Sequence, residues 1–154
     1  MIESTSCGGI VFHKGKVLLL YKNQYGKYAG WVMPRGTMEP GESTKETALR
    51  ELKEEASVVG KIINYVGKTQ YTFQGYTDAV RKTIHWYLMV SDSFYCKPQK
   101  DEFFTDAGYY KLHEAYHLLK FHDEKQIMRQ AYNEYNEYRR NKNNKFNKKK
   151  GVLV

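Results

Sequence analysis

Residues 36–58 read GTMEPGESTKETALRELKEEASV, and they are the most informative segment of the chain. Ser43 is followed three residues later by Glu46, which is the spacing of a capping box at the start of a helix. Apolar residues then recur at helical spacing, which predicts a helix over residues 44–57. Three of its side chains are expected to face the core: Leu49, Leu52 and Ala56.

Three glutamates share one side of this helix because they stand at positions i, i+3 and i+4: Glu51, Glu54 and Glu55. Carboxylates this close repel one another, and burial would make the repulsion more costly. A divalent cation would remove the conflict, and carboxylate oxygens suit Mg²⁺ or Mn²⁺. A solvated acidic helix face is the alternative interpretation of the same three residues.

Two neighbouring features favour a metal site over a solvated face. Arg50 is placed to pair with Glu54 one helical turn later, and with Glu42 ahead of the helix. The loop 36–41 begins and ends with glycine, which lets the backbone approach a ligand closely. The stretch therefore predicts a metal-dependent active site.

The stretch resembles the Nudix box, the signature of the Nudix hydrolases. That pattern is glycine, five residues, glutamate, seven residues, Arg-Glu, an apolar residue, any residue, Glu-Glu, any residue, glycine and an apolar residue. Every position of the pattern matches except one, since Ser57 stands where the family has its final glycine. That glycine normally ends the helix, so Gly60 is expected to act as the cap slightly later.

The resemblance implies an α/β fold, a Nudix-type α/β/α sandwich with a mixed central sheet. It also implies hydrolysis of a nucleoside diphosphate linked to another group, with magnesium, or alternatively manganese, as the cofactor. By the same resemblance Glu51 and Glu55 are metal ligands, and the Gly36 carbonyl is a further one.

The remaining conserved positions of the box receive supporting roles from the same resemblance. Glu54 is predicted to be a further metal ligand or the base that takes a proton from the attacking water. Arg50 and Glu42 are predicted to orient the other groups. Because the base sometimes lies outside the box in this family, Glu102 in the loop KPQKDEFFTDA is the other candidate, with an ordinary loop acid as its alternative interpretation.

Residues outside the box are most similar to the branch that cleaves dinucleoside polyphosphates such as diadenosine tetraphosphate. Enzymes of that branch tend to carry a tyrosine about eighteen residues past the box, where Tyr76 stands and where its ring would stack on a base. With 14 tyrosines in the chain, coincidence also explains that position. The lead-in MPRG resembles that of diadenosine tetraphosphate hydrolases and of inositol-pyrophosphate hydrolases, and its Arg35 would bind a phosphate. No proline lies between Pro40 and Pro98, which argues against the ADP-ribose branch.

Further substrate contacts are predicted on two long strands that follow the helix: Tyr71, Lys82 and His85. Lys82 and Arg81 point to opposite faces of a strand, so only one of them is expected to reach a phosphate. His85 either touches phosphate or is a structural histidine. Three weaker candidates lie on or near the variable loop: Lys22, Lys27 and Tyr28.

Three other functions stay open at this point. The first is removal of pyrophosphate from capped or triphosphorylated RNA 5′ ends, and the second is hydrolysis of inositol pyrophosphates. The third is a Nudix-fold binding module without catalysis, which is disfavoured because the box carboxylates are present.

The periodicity of the remaining chain predicts strands joined by short turns, with two helices after the box helix. The predicted strands cover 7–12, 17–21, 61–74 with a bend near Gly67, 79–90 and 108–112. The predicted helices cover 113–119 and 123–138.

Charge divides the chain into a predicted Nudix domain over residues 1–138 and a basic, disordered tail over residues 139–154. The formal net charge is +8, but the tail holds seven lysines and arginines and no acid. The tail either attracts RNA or solubilises the protein. Two cysteines without metal-ligand spacing, no signal-peptide pattern and no membrane-length apolar run predict a cytoplasmic protein. A nucleotide polyphosphate is the expected partner, and the oligomeric state is left open.

Overall fold

A computed structural model describes residues 1–149, which form seven strands and three α-helices. The strands are β1 (Ile2–His13), β2 (Lys16–Gln24), β3 (Tyr28–Val32), β4 (Arg35–Thr37), β5 (Lys61–Gln74), β6 (Ala79–Val90) and β7 (Phe104–Tyr110). The helices are α1 (Thr44–Ala56), α2 (Leu112–Leu118) and α3 (His122–Lys149), and a short 3₁₀ helix (Lys100–Glu102) precedes β7.

The strands form one mixed sheet with the order β3-β2-β1-β6-β5. β4 pairs with β1, and β7 pairs with β2. β1 and β6 run parallel from Ile2 opposite Val80 to Phe12 opposite Val90, whereas the other pairs are antiparallel. The mixed sheet is the one expected for this fold class.

Two hydrophobic cores lie on opposite faces of the sheet, which gives the predicted α/β/α sandwich. One core packs α1 against the sheet through Ala48, Leu52 and Ala56. The other packs α2 and α3 against the opposite face, with the fully buried Trp86 among its members. Leu49 was expected in the core but is 37% exposed, because Ala48 occupies the position that faces the sheet.

The two long strands after α1 match their predicted bounds, β5 at Lys61–Gln74 and β6 at Ala79–Val90. Their pairing shifts register between Tyr65 and Gly67, and an irregularity of this kind favours the predicted bend near Gly67. β1 begins earlier than predicted, at Ile2, because its parallel partner β6 offers hydrogen-bonding groups along that whole segment.

The end of α1 differs from the expectation that Gly60 caps it. Ser57 adopts the left-handed conformation itself, with φ 57° and ψ 32°, and its N–H donates to the Lys53 carbonyl at 3.0 Å. The helix therefore ends at the position where the Nudix pattern has glycine, although the residue there is serine.

The predicted end of the last helix at Tyr138 is wrong, because α3 continues to Lys149. Side-chain stacking bridges the predicted boundary: the Arg139 guanidinium lies over the Tyr135 ring at 5.3 Å and the Lys142 ammonium over the Tyr138 ring at 6.0 Å. Lysine and arginine are good helix formers, so backbone hydrogen bonding continues without an apolar face. The predicted disorder does not apply to residues 139–149, residues 150–154 lie outside the described part, and the division into domain and tail stays a prediction.

Within residues 1–149, no helix is both long and apolar enough to span a bilayer.

Candidate active site

The N-terminus of α1 is fixed by the predicted capping box. Ser43 Oγ accepts a hydrogen bond from the Glu46 N–H at 3.1 Å, and Glu46 Oε1 accepts one from the Ser43 N–H at 3.2 Å. Thr47 adds a side-chain hydrogen bond to Glu42 at 2.9 Å, which ties the preceding loop to the helix. The capping box and this bond fix the start of α1, and with it the positions of Glu51 and Glu55 further along the helix.

Three carboxylates converge at the far end of α1: Glu51, Glu55 and Glu102. One oxygen of each lies within 4.8 Å of the others. Glu51 and Glu55 are buried, with 9% and 6% of their surface exposed, and Glu102 is the more exposed member. We call these three residues the acidic group.

Glu102 reaches the acidic group because the loop before it is bonded to the end of α1. The Lys97 N–H donates to the Ala56 carbonyl at 2.9 Å, and the Gln99 N–H donates to the Glu55 carbonyl at 2.9 Å. Carbonyls in the last turn of a helix lack partners within the helix, so this loop satisfies them. The 3₁₀ helix that follows then carries Glu102 toward Glu55.

The electrostatics of the acidic group fit a divalent cation. Burial raises the pKa of Glu55 to about 9, with the charges of Glu51 and Glu102 adding to the shift. Burial also raises the pKa of Glu51. Carboxylates held this close are strained when ionised together, and a hard cation bound among their oxygens removes that strain.

Gly36 lies directly against the acidic group. A Cβ atom at this position would fall 2.0 Å from Glu51 Cδ, so only glycine leaves room for the carboxylate. This close approach places the Gly36 backbone beside Glu51, and the role of its carbonyl as a further metal ligand stays a prediction.

Arg50 is the centre of the ion pairs around the acidic group. Its Nε donates to Glu42 Oε2 at 2.6 Å, and its Nη1 donates to Glu51 Oε1 at 2.8 Å and to Glu54 Oε2 at 3.1 Å. A further Nη2 bond to the Thr37 carbonyl at 3.1 Å joins α1 to β4. Hydrogen bonding from Arg50 lowers the pKa of Glu42 to about 2, so Glu42 is an anion that holds Arg50 in place.

Glu54 is not part of the acidic group as the structure describes it. Its carboxylate is held by Arg50, and its side chain is 46% exposed. Its predicted role as a metal ligand or base stays a prediction, whereas the alternative candidate Glu102 lies beside both buried carboxylates.

Two cavities share part of their lining, and the first of them reaches Glu55. The first, of about 220 Å³, is lined by Lys22, Tyr28, Val32, Met33, Arg35, Glu55, Tyr71 and Phe104. The second, of about 260 Å³ and mostly apolar, is lined by Tyr28, Arg35, Thr69, Tyr71, Phe121, Asp123 and Glu124. Tyr28, Arg35 and Tyr71 line both, so these side chains stand at the junction.

The predicted phosphate-binding residues lie on the cavity side of the sheet. The Arg35 N–H donates to Glu55 Oε1 at 2.8 Å, and its guanidinium donates to Glu124 at 3.1 Å. Lys82 pairs directly across the sheet with Tyr71, and its ammonium donates to Thr37 Oγ1 at 3.3 Å. Burial and, second, the charge of Arg35 lower the pKa of Lys82.

Two predicted substrate residues lie elsewhere. Tyr76 is fully exposed in the turn between β5 and β6, and it lines neither cavity. His85 is on the face of β6 opposite to Lys82, where its Nδ1 and the Tyr65 hydroxyl share a hydrogen bond of 2.8 Å. Arg81 also points away from Lys82 and pairs with Glu3 at 3.6 Å.

Glu124 and Phe104 line the cavities, although neither residue was predicted to do so. Glu124 stands in the first turn of α3, where an acid complements the helix dipole. A buried acid cannot be told from an exposed one at that position, so no local signal distinguishes it.

Comparison with known proteins identifies the family to which this chain belongs. The family model for the NUDIX domain matches residues 5–133. Nudix hydrolase 21 of Arabidopsis thaliana is 35% identical over 103 residues, which are 67% of this chain and 50% of the plant protein. This chain thus spans about half the length of that relative, and less of some others.

Two relatives with diadenosine tetraphosphate or related substrates in their names match over most of their length. The asymmetrical bis(5′-nucleosyl)-tetraphosphatase of Sus scrofa is 26% identical over 137 residues, 82% of this chain and 92% of the pig protein. The structure of an Ap4A hydrolase binary complex from C. elegans matches with a TM-score of 0.68 and 18% identity, over 82% of this chain and 93% of that one. Because the family model covers most of the sequence, this protein belongs to the Nudix hydrolase family.

Proposed function

We propose that this protein is a metal-dependent hydrolase that cleaves the pyrophosphate linkage of dinucleoside polyphosphates such as diadenosine tetraphosphate. One observation carries the proposal: the acidic group opens beside a cavity that combines basic and aromatic side chains. Such a cavity suits a ligand with a polyphosphate at one end and a base at the other. The pig tetraphosphatase, matched over 92% of its length, supports the choice of substrate.

Glu51 and Glu55 would hold Mg²⁺, or alternatively Mn²⁺, with the Gly36 carbonyl beside them. The ion would offset the negative charge that builds up on phosphate oxygens as the bond breaks. Arg50 keeps Glu51 in place and separates it electrostatically from Glu54. The buried position of Glu55 excludes water from one side of the site.

Glu102 would take the proton from the attacking water. It is the more exposed member of the acidic group, so it can meet water and then pass the proton to solvent. Glu54 is the competing candidate, but Arg50 occupies its carboxylate. The attack forms a bond between the water oxygen and phosphorus and breaks the P–O bond to the bridging anhydride oxygen, which releases a nucleoside triphosphate and a nucleoside monophosphate.

Lys22 and Lys82 would bind the polyphosphate, and Tyr71 would stack on a base. Tyr71 replaces Tyr76 in this role because it lines both cavities. Base stacking on an aromatic side chain contributes about 1–3 kcal/mol in single-strand binders.

The experiment measures products from diadenosine tetraphosphate, 5′-triphosphorylated RNA, ADP-ribose and nucleoside triphosphates, with and without Mg²⁺. We expect ATP and AMP from diadenosine tetraphosphate, only with the metal present. Glu102→Gln should lower kcat by at least about 10²-fold, and Glu54→Gln by less. Asp101→Asn, an exposed neighbour, is the matched control and should retain full activity. Full activity of Glu102→Gln would transfer the base assignment to Glu54.

RNA is the second candidate substrate because of the basic end of α3, where Arg139, Arg140, Lys142 and Lys145 follow one another without an acid. If RNA is the substrate, its turnover falls steeply with salt because each phosphate contact releases counterions. Preferential turnover of RNA in the panel would replace the dinucleotide proposal.

A further inference from the structure

Arg35 connects the acidic group to α3 through two separate hydrogen bonds. Its main-chain N–H donates to Glu55 Oε1 at 2.8 Å, and its Nη1 donates to Glu124 Oε2 at 3.1 Å. Glu55 belongs to α1 and Glu124 to the first turn of α3, and these helices pack on opposite faces of the sheet. The connection between them therefore runs through β4.

The Arg35–Glu124 ion pair is shielded from water. The side chains of Arg35 and Glu124 are 24% and 8% exposed. A buried carboxylate needs a partner, and removing the partner of a buried ion pair leaves an uncompensated charge. Arg35 and Glu124 therefore fix each other's position, whereas an exposed ion pair such as Arg81–Glu3 is weakened by the surrounding water.

The pair stands where the two cavities meet. Arg35 lines both cavities, and Glu124 lines the apolar one. The buried hydroxyl of Tyr28, which also lines both, has no hydrogen-bond partner within residues 1–149. A ligand bound at this junction would lie beside the ion pair.

Charge around Arg35 explains why Glu124 is needed. Lys82 is the neighbouring cation, and Glu124 is the acid paired with the guanidinium. Without Glu124, the Arg35 guanidinium would keep the like charge of Lys82 on one side and lose its anionic partner on the other. The guanidinium would then be free to turn toward a substrate phosphate, and Arg35 would lose one of the two contacts that tie it to the helices.

We propose that Glu124 is a positioning residue for the hydrolysis. It holds the Arg35 guanidinium at the junction, and this keeps the Arg35 N–H on Glu55, so that the Glu55 carboxylate stays oriented within the acidic group. Glu124 touches none of the reacting atoms. The inference rests on the proposed function, because it concerns the orientation of a proposed metal ligand.

The first test separates turnover from substrate binding. Glu124→Gln should lower kcat for diadenosine tetraphosphate by about tenfold, the lower end of the range for residues that orient metal ligands. KM should stay within about threefold of the wild-type value or fall, because Arg35 keeps its charge and gains freedom to bind phosphate. Glu137→Gln, the same change at an exposed site of α3, is the matched control and should leave both constants unchanged.

The second test asks whether Glu124 acts through Arg35. Arg35→Met should lower kcat, and adding Glu124→Gln to it should lower kcat no further, since the connection is already broken. Glu124→Asp keeps the charge with a shorter reach and should lie between wild type and Glu124→Gln. If the glutamine variant does not fold, the aspartate variant decides by the same measurements.

The third test does not depend on turnover. Mn²⁺ titration of the substrate-free protein should show an affinity about tenfold lower in Glu124→Gln, and the Arg35 amide resonance should shift upfield as its hydrogen bond to Glu55 weakens. If wild type cleaves none of the substrates, the proposed function fails while these two readouts still decide the positioning role. The inference would be overturned if Glu124→Gln had the kcat, the Mn²⁺ affinity and the Arg35 amide shift of the wild-type protein. It would also be overturned if the effects of Arg35→Met and Glu124→Gln on kcat multiplied in the double variant.

Discussion

Replacing Ser57 by glycine should stabilise the protein. Ser57 ends α1 with φ 57° and ψ 32°, which is the left-handed conformation. A residue with a Cβ atom is destabilised in this conformation by about 1–2 kcal/mol, whereas glycine is not. Glycine removes that cost but increases the entropy of the unfolded chain, which offsets about 0.4–1 kcal/mol. The Ser57 side chain is exposed, so its loss removes no buried contact. The net gain is therefore about 1 kcal/mol.

The measurement is the free energy of unfolding from urea titration, together with Tm. A gain of about 1 kcal/mol corresponds to a rise in Tm of about 2–4 °C for a chain of this size. Ser57→Ala is the matched control: it also lacks the hydroxyl but keeps a Cβ, so it should not stabilise. A glycine variant no more stable than wild type, or an alanine variant equally stabilised, would refute the argument from backbone conformation.

Two further predictions concern the acidic group. Gly36→Ala should displace the Glu51 carboxylate, because the new Cβ would lie 2.0 Å from its Cδ. The Mn²⁺ affinity measured by titration should fall by about 10- to 100-fold, while the circular dichroism spectrum stays that of the folded protein. An unchanged affinity would show that Glu51 adjusts to the new side chain without loss. Burial raises the pKa of Glu55 from 4.5 to about 9, so in the metal-free protein the contribution of Glu55 to stability is complete below about pH 4.5 and is lost as pH rises toward 9. Glu55 contributes a slope of at most about 1.4 kcal/mol per pH unit to the free energy of unfolding. Urea titrations in EDTA at several pH values should show this slope in the wild-type protein and a smaller one in Glu55→Gln. Equal slopes in the two proteins would contradict the raised pKa of Glu55.

Elements with strong local signals could be predicted from the sequence. Ser43 and Glu46 fix the start of α1 through contacts within one turn, and the β-branched and aromatic residues of β5 and β6 fix the bounds of both strands. The C-terminal helix shows the limit of the same reasoning. Its apolar stripe ends at Tyr138, but its backbone hydrogen bonds do not require such a stripe, so the pattern ended before the helix did.

The acidic group could be predicted only in part, because one of its members comes from a distant loop. Glu51 and Glu55 follow from helical spacing. Glu102 joins them through hydrogen bonds from Lys97 and Gln99 to the last carbonyls of α1, and these depend on the tertiary fold. The tertiary fold also decides which tyrosine lies at the cavity. Tyr76 stands at the expected sequence position but is fully exposed in the turn of the hairpin, whereas Tyr71 lines the cavity.

The parallel pairing of β1 with β6 has a consequence for synthesis on the ribosome. Ile2 pairs with Val80 and Phe12 with Val90, so most of β1 has no parallel partner until a long stretch of later chain has been made. At 5–20 residues per second, that interval is on the order of 4–16 s. During it the nascent N-terminal strand exposes an unpaired, apolar edge, which is the kind of segment that aggregates or recruits chaperones.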